Sequence, residues 1–252
     1  MIANDAKTEY CSKCKSVIAE PTETTRIVKS KKIMSNNYKN AKRILSHLIT
    51  KVENKLENNP FIFVNEHDLS AYLFSQLLEI QELKLPFKME RNGIEHYCSR
   101  VHLEYPRYAI DLGKLKSVGR YDIAVLRQDS SVEEPFKRDE FTEKPVWMGF
   151  EVKLHWNYGL EAIINGVLLE KMAFAKRDRD IERRPADYGV VFHLNIDKKK
   201  KTDPSALIEK IKEFQSLTEI KDSKIFVVYI ESCGRTEKPS TIVLDPEGKE
   251  FR

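Results

Sequence analysis

The chain has 252 residues, a net charge of +4, 41% hydrophobic residues and 33% charged residues. This length is enough for one large domain or two small ones, and the apolar content argues against a wholly disordered chain. Its four cysteines are too few for a disulfide framework. No apolar run approaches the roughly 18 residues of a transmembrane helix, and the N-terminus lacks the apolar core of a signal peptide. We therefore expect an intracellular, cytoplasmic protein with no membrane partner, whose mild positive charge permits contact with a polyanion without demanding it.

The first 35 residues form a polar arm with a single C-x-x-C pair, Cys11 and Cys14. Such a pair supplies half of a tetrahedral zinc site, or a redox pair. The only other cysteines, Cys98 and Cys233, are isolated in the sequence. Two readings stay open: ordinary thiols on an arm, or a zinc site completed by remote ligands or by a second subunit.

The segment from Asn36 to Leu56 predicts an amphipathic helix, because its apolar residues recur every three or four positions. The apolar stripe comprises Ala41, Ile44, Leu45, Leu48, Ile49, Val52 and Leu56. The Asn-Asn-Pro stretch at residues 58–60 would end this helix. We divide the chain into residues 1–58, the arm with its helix, and residues 59–252, which hold the other predicted elements.

A second helix is predicted to begin at Asn65. Asn65 can cap the helix, and Asp68 at the third helical position makes an approximate capping box. Glu66 falls in the first turn, where the helix dipole favours an acid. The predicted buried stripe comprises Leu69, Tyr72, Leu73, Leu77 and Leu78.

Strands dominate the rest of the chain. Residues 82–100 are charged and indicate an irregular connection. Residues 101–106 alternate like a strand, with Leu103 on the apolar face, Glu104 on the other, and Pro106 at its end or on an edge. Further strands are predicted at Gly119–Leu126, Val146–Trp156, Ala186–Leu194, Lys224–Ile230 and Thr241–Leu244.

Two amphipathic helices are predicted between the later strands. The first covers residues 160–175, and the second begins at Asp203 or Ser205. The order from residue 65 is therefore helix, three strands, helix, strand, helix, strand. Neighbouring strands followed by strand–helix–strand crossovers predict an α/β fold whose mixed β-sheet is flanked by helices.

Candidate chemistry lies on two of these strands. Side chains on a strand alternate between faces, so Glu151, Lys153 and His155 share one face, opposite an apolar face suited to a core. Asp122 lies on the preceding strand. Two carboxylates, Asp122 and Glu151, can hold a hard cation such as Mg²⁺ through oxygen. Lys153 can orient or deprotonate a water, or offset the charge of a phosphate.

The motifs at residues 119–122 (GRYD) and 150–153 (FEVK) resemble the PD-(D/E)XK nuclease superfamily. Its restriction-endonuclease-like fold has a helix–strand–strand–strand–helix–strand (αβββαβ) core. An aspartate lies near the start of the second strand, and (Asp/Glu)-x-Lys lies on the third. Tyr121 stands where the family has a proline. The resemblance implies this core here, with a helical N-terminal extension.

The resemblance also implies a function. The expected activity is metal-dependent hydrolysis of phosphodiester bonds, with DNA as the substrate, in restriction, defence, mobile-element or repair roles. Asp122 and Glu151 would bind Mg²⁺, with Mn²⁺ as a substitute, and Lys153 would orient water. Glu66 matches the family's first-helix glutamate best and would serve as an auxiliary acid. Glu104 and His155 are further candidates for the edge of the site.

A basic cluster after the predicted helix at 160–175 is a candidate for contacts with nucleic-acid backbone. It comprises Lys176, Arg177, Arg179, Arg183 and Arg184. Phosphate contacts of this kind supply affinity without sequence readout. The other explanation is a solvated charged face, and both remain open.

A different class of function fits the same residues: a catalytically silent module of this fold that binds nucleic acid or a protein partner. A homodimer is a further expectation for the enzyme, since cutting both strands needs two sites, and a separate targeting protein is the alternative.

Overall fold

A computed structural model describes residues 37–91, 94–111, 114–127, 146–156, 181–183, 186–196, 224–232 and 238–251, together with residues 9–10, 17–18, 205, 208–209 and 212–213. Within these residues the protein is a mixed α/β fold in which helices pack on a seven-stranded sheet. In the same residues, no helix combines the length and the apolar character needed to cross a bilayer.

Helix α1 spans Tyr38–Asn58, as the apolar periodicity predicts. The side chain of Asn37 caps it by accepting a hydrogen bond from the backbone N–H of Asn40 at 3.0 Å. Every residue of the predicted apolar stripe is buried. These buried residues belong to the same hydrophobic cluster as the central strands, so α1 is part of the main core.

Helix α2 spans Glu66–Glu79, and its predicted capping box is confirmed. The side chain of Asn65 accepts from the backbone N–H of Asp68 at 3.0 Å, and the Asp68 carboxylate accepts from the backbone N–H of Asn65 at 3.3 Å. This pair fixes the first helical residue, and therefore the position of Glu66. A short helix, α3, follows at Gln81–Lys84.

The prediction of an irregular connection at residues 82–100 is wrong. Strand β3 at Phe87–Arg91 and strand β4 at Ile94–Cys98 form an antiparallel hairpin there. An antiparallel hairpin can expose one face to water, so a high charge content is compatible with it. Two further two-residue strands, β1 at Glu9–Tyr10 and β2 at Val17–Ile18, pair with each other.

The main sheet is mixed, as predicted. Its strands are β5 (Val101–Asp111), β6 (Lys114–Leu126), β7 (Val146–Trp156), β8 (Ile181–Arg183), β9 (Tyr188–Ile196), β10 (Ile225–Ser232) and β11 (Ser240–Leu244). Their order across the sheet is β11-β10-β9-β7-β6-β5-β8. β7, β9 and β10 are parallel, whereas the other neighbouring pairs are antiparallel.

Strands β5 and β6 are longer than predicted. Pro106 does not end β5, which continues to Asp111 after a register shift between Pro106 and Tyr108. The irregularity lets the strand tolerate a residue that lacks a backbone donor. β6 likewise begins at Lys114 instead of Gly119.

The predicted burial on β5 fails at Leu103. Val101 and Tyr105 are buried, but Leu103 is 43% exposed. The next residue, Glu104, has a φ of 49°. This left-handed conformation is rare for a residue other than glycine, and it interrupts the alternation between Leu103, whose partner Ile123 belongs to the hydrophobic cluster, and Tyr105, which lies outside that cluster.

The core places the site residues of β7 on a defined side of the sheet. Phe150, Val152 and Leu154 belong to the hydrophobic cluster. The intervening residues therefore face the opposite side. The helix predicted at residues 160–175 lies outside the described residues. Residues 205, 208–209 and 212–213 are helical, in agreement with the helix predicted there.

A buried carboxylate joins the last turn to the first long helix. Asp245 is 2% exposed. It accepts hydrogen bonds from the Tyr38 hydroxyl at 2.6 Å and the Lys42 ammonium at 3.0 Å. It also accepts from the backbone N–H groups of Glu247 and Lys249 at 3.0 and 2.9 Å. One side chain thus shapes the turn and attaches it to α1.

Candidate active site

Asp122 and Glu151 meet where the pairing of β6 with β7 ends. The two strands pair Ile123 with Phe150, and Asp122 and Glu151 are the next residues along them. The Asp122 carboxylate accepts a hydrogen bond from the backbone N–H of Val152 at 2.6 Å. This side chain therefore replaces a backbone acceptor in the ladder, which holds it against β7 beside Glu151. Glu151 is fully buried.

Lys153 connects this pair to helix α2. Its Nζ atom lies 2.9 Å from Oε2 of Glu66 and 3.4 Å from Oε1 of Glu151. Three elements that are distant in sequence thus bring together Glu66, Asp122, Glu151 and Lys153, which we call the acid–lysine cluster. The structure places these four predicted site residues in one location.

The acid–lysine cluster keeps Lys153 charged. Burial lowers the pKa of its ammonium group, but the hydrogen bond to Glu66 and the negative charges of Glu151, Glu66 and Asp122 outweigh burial and hold the pKa above its ordinary value. A lysine with a raised pKa is a poor base near neutral pH. The geometry therefore favours a role as a fixed cation that orients water or neutralises phosphate charge.

The donor chemistry of the cluster suits Mg²⁺. Asp122 and Glu151 supply hard oxygen ligands, and Mg²⁺ usually binds through one or two carboxylates together with waters and substrate phosphate oxygens. In the part of the chain that the structure describes, no group of three or more His, Cys, Asp or Glu side chains is arranged to hold a metal ion. Waters and phosphate oxygens would therefore have to complete the coordination.

His155 joins the site from the next position on the same face of β7. Its Nδ1 atom lies 2.8 Å from Nε2 of the buried His193 on β9. Burial lowers the pKa of His155. The negative charge of Glu66 raises this pKa and the positive charge of Lys153 lowers it, and the net effect is a pKa below the ordinary value. His155 is therefore a neutral imidazole near neutral pH, at the side of Lys153.

Glu104 occupies a different environment. It lies between the register pairs Leu103–Ile123 and Tyr105–Tyr121, in the strained conformation noted above. Its carboxylate lies 3.8 Å from the guanidinium of Arg120, and both side chains are more than half exposed. The structure places Glu104 in this surface ion pair, which is a weak interaction.

Tyr121 packs across β7. A Cβ atom added to Gly149 would overlap the Tyr121 ring. The Tyr121 hydroxyl accepts a hydrogen bond from the backbone N–H of Ala186 at 3.1 Å. Because Gly149 shares a face with Glu151 two positions further along, the tyrosine ring lies on the same face of the sheet as the buried acid.

Several predicted residues lie outside the described residues: Cys11, Cys14, Lys176, Arg177, Arg179 and Arg184. Arg183 is the last residue of β8, where it pairs with Ala109. The zinc site and the phosphate-binding cluster therefore remain predictions.

Sequence reasoning missed a set of buried polar residues on β9 and β10. His193, Asn195, Tyr229 and Glu231 are each at most 2% exposed. The Asn195 amide donates to the Tyr229 hydroxyl at 3.3 Å, and that hydroxyl donates to Glu231 at 3.1 Å. The signal was present in the sequence: polar residues recur at every second position within otherwise apolar strands, which places them on one face.

No protein-family model, no curated protein and no solved structure matches this chain. The site geometry is consequently the basis on which its function is inferred.

Proposed function

We propose that the protein is a metal-dependent nuclease of the PD-(D/E)XK type, which hydrolyses phosphodiester bonds in DNA with Mg²⁺, or with Mn²⁺ as a substitute. One observation carries the proposal: the Lys153 ammonium lies between the carboxylates of Glu66 and Glu151, with Asp122 held against the same strand. An aspartate, a glutamate and a lysine in one cluster provide metal ligands and a cation for a phosphate.

The order of the elements supports the same assignment. Helix α2 precedes β5, β6 and β7, which are adjacent in the sheet, and β9 lies parallel to β7 on its other side. The described elements supply the first helix and the four strands of the core implied by the motifs, with the aspartate on the second strand and the acid–lysine pair on the third; the helix expected between β7 and β9 lies outside the described residues.

Each residue of the cluster has a distinct proposed role. Asp122 and Glu151 would hold Mg²⁺, which supplies a bound water of lowered pKa and stabilises negative charge on the phosphate. Lys153 orients the attacking water and faces the phosphate as a fixed positive charge. Glu66 positions the ammonium through its 2.9 Å contact.

A purely structural role explains the cluster less well. Glu151 is fully buried, and its side chain pairs with Lys153 at 3.4 Å. Buried ion pairs often stabilise a fold less than apolar residues of the same volume would, because both charges lose hydration. A scaffold has little reason to concentrate three carboxylates around one lysine, whereas a metal-dependent phosphodiesterase needs such a concentration.

Cleavage of plasmid and linear DNA with Mg²⁺ or Mn²⁺ tests this function, with EDTA as a control. Asp122→Ala removes a proposed ligand, and Glu57→Ala is a matched control because Glu57 is an exposed acid on α1, paired with Lys238 at 3.6 Å. Metal-dependent cutting that is lost in Asp122→Ala and retained in Glu57→Ala supports the nuclease.

The silent module predicts a different result in the same experiment. The wild type would bind DNA equally with and without Mg²⁺ and would leave it uncut. An RNA of the same sequence, in a parallel reaction, identifies the sugar of the preferred substrate.

A further inference from the structure

The hydrogen bond between His155 and His193 extends the acid–lysine cluster towards the interior of the sheet. His155 is half-buried on β7, beside Lys153, whereas His193 on β9 is fully buried. The two ring nitrogens lie 2.8 Å apart, which is a hydrogen-bond distance. One ring must donate and the other accept, so the contact couples the tautomers of the two histidines.

The register of the parallel strands continues this polar set across the sheet. His193 pairs with Lys153 on one side and with Tyr229 on the other. Its ring meets the Tyr229 ring edge-on, at 5.4 Å between centroids. Two residues further along the strands, Asn195 pairs with Glu231, and both side chains form hydrogen bonds with the Tyr229 hydroxyl.

This buried polar set holds His193 in place. Polar groups in an interior stabilise a fold less than apolar ones unless their hydrogen bonds are made, and a connected network rigidifies the side chains it includes. Tyr229 is fixed through its hydroxyl, its ring packs against His193, and His193 bonds to Nδ1 of His155. The outer histidine therefore has a defined orientation next to Lys153.

We propose, on the basis of the nuclease function proposed above, that His155 donates a hydrogen bond from Nε2 to the phosphodiester beside Lys153, and that His193 is its positioning residue. A phosphate oxygen accepts hydrogen bonds only, so the ring must present N–H to it. With Nδ1 of His155 accepting from Nε2–H of His193, the proton of the neutral His155 ring resides on Nε2. The anionic substrate selects this tautomer.

Steady-state cleavage kinetics of three variants test the proposal. For His155→Ala we expect kcat to fall about 10- to 100-fold with KM little changed, because a hydrogen bond to a charged group strengthens as charge develops. Added imidazole should restore part of the lost rate in His155→Ala, which a structural defect would not allow. His193→Phe keeps the ring shape and should show a smaller loss that imidazole does not restore.

His47→Ala is the matched control, because His47 lies on α1, which packs on the opposite, apolar face of the sheet. It should cut DNA at the wild-type rate. If Asp122→Ala is inactive while His155→Ala retains the wild-type kcat, the nuclease stands and the role of His155 is overturned.

A binding measurement keeps the inference testable if the wild type does not cut. The histidine ring nitrogens of ¹⁵N-labelled protein report tautomers directly by NMR. We expect His155 to carry its proton on Nε2, and that resonance to shift when a short DNA duplex is added with Ca²⁺ in place of Mg²⁺. If the ring resonances of His155 do not change when the duplex is added, the inference is overturned. If the resonance shifts but the wild type does not cut DNA, only the nuclease function is refuted.

Discussion

The Lys153 ammonium and the Glu66 carboxylate lie 2.9 Å apart, although the two residues are 87 positions apart in the chain. The contact joins the first turn of α2 to β7. The position of Glu66 is set locally, by the capping box of Asn65 and Asp68, and Lys153 is set by the sheet. Two independently built elements thus define where the ammonium points.

Replacing Glu66 by glutamine tests the importance of that charge. Glu66→Gln keeps the shape and an acceptor but weakens the hold on the ammonium, so we expect the initial rate of plasmid cleavage to fall about 10- to 100-fold. The matched control is Glu79→Gln, at the other end of α2, where the acid forms an exposed pair with Lys51 at 3.5 Å. Equal rates in the two variants would contradict the proposed role of Glu66.

Two substitutions of Lys153 separate a fixed cation from a base. Lys153→Met removes the charge, and we expect cleavage to fall about a thousandfold or more, a loss of about 4 kcal/mol of transition-state stabilisation. Lys153→Arg keeps a cation that does not lose its proton. Its cleavage rate should therefore lie between that of the wild type and that of Lys153→Met. Single-turnover rates measure both. An arginine variant as inactive as the methionine variant would argue for proton transfer by Lys153.

The pH dependence of unfolding should report Asp245. Burial raises the pKa of its carboxyl, but hydrogen bonds from Tyr38, Lys42 and the backbone N–H groups of Lys249 and Glu247 outweigh burial and hold the pKa below its ordinary value. A lowered carboxyl pKa gives stability that is present above the pKa of the unfolded chain, about 4, and is lost as the pH falls below it.

We therefore expect Asp245→Asn to lower the free energy of unfolding at pH 7 by about 1–3 kcal/mol, and the difference from the wild type to shrink below about pH 4. Urea titrations at several pH values measure this. Glu247→Gln is the control in the same turn, because Glu247 is largely exposed. A difference that stays constant with pH would show that the charge of Asp245 does not contribute.

The packing of Tyr121 against Gly149 should make the two positions non-additive. Gly149→Ala places a methyl group where the Tyr121 ring lies, and overpacking of this kind costs about 1–3 kcal/mol of stability. Tyr121→Leu removes the obstructing ring at a cost of its own. In the double variant Gly149→Ala/Tyr121→Leu, the alanine has more room. The free energy of unfolding should therefore fall by less than the sum of the losses in the two single variants. If the losses measured by urea unfolding are additive, the packing of Tyr121 on Gly149 is not the reason why Gly149→Ala is destabilising.

The sequence predicted best what is determined locally. The stripe of α1, the capping box of α2 and the bounds of β7 follow from periodicity and from residues a few positions apart. The hairpin of β3 and β4 was not predicted, because its many charged residues make the apolar pattern of a strand hard to recognise in the sequence. The change of face between Leu103 and Tyr105 was not predicted because the left-handed conformation of Glu104 has no sequence signal: glutamate rarely adopts it.

The site was predictable to the extent that it follows strand alternation. Glu151, Lys153 and His155 share a face because side chains alternate along a strand. Asp122 lies on the neighbouring strand. The contact between His155 and His193 depends on the register of two parallel strands, which no local pattern specifies. The same holds for the distance between Glu66 and Lys153, which depends on how α2 packs on the sheet.

The attachment of α1 to the end of the sheet has a consequence for the order of folding during synthesis. Tyr38 stacks on Phe226 at 5.6 Å, Thr241 donates to Glu53 at 2.6 Å, and Asp245 binds Tyr38. These partners of the early helix are therefore translated long after it. A nascent chain would carry an amphipathic helix without its final packing surface until β10 and β11 emerge from the ribosome, and such distant contacts slow folding. During synthesis, α2 is thus the partner of α1 that is available first, and the rest of the apolar stripe stays exposed until the last strands are made.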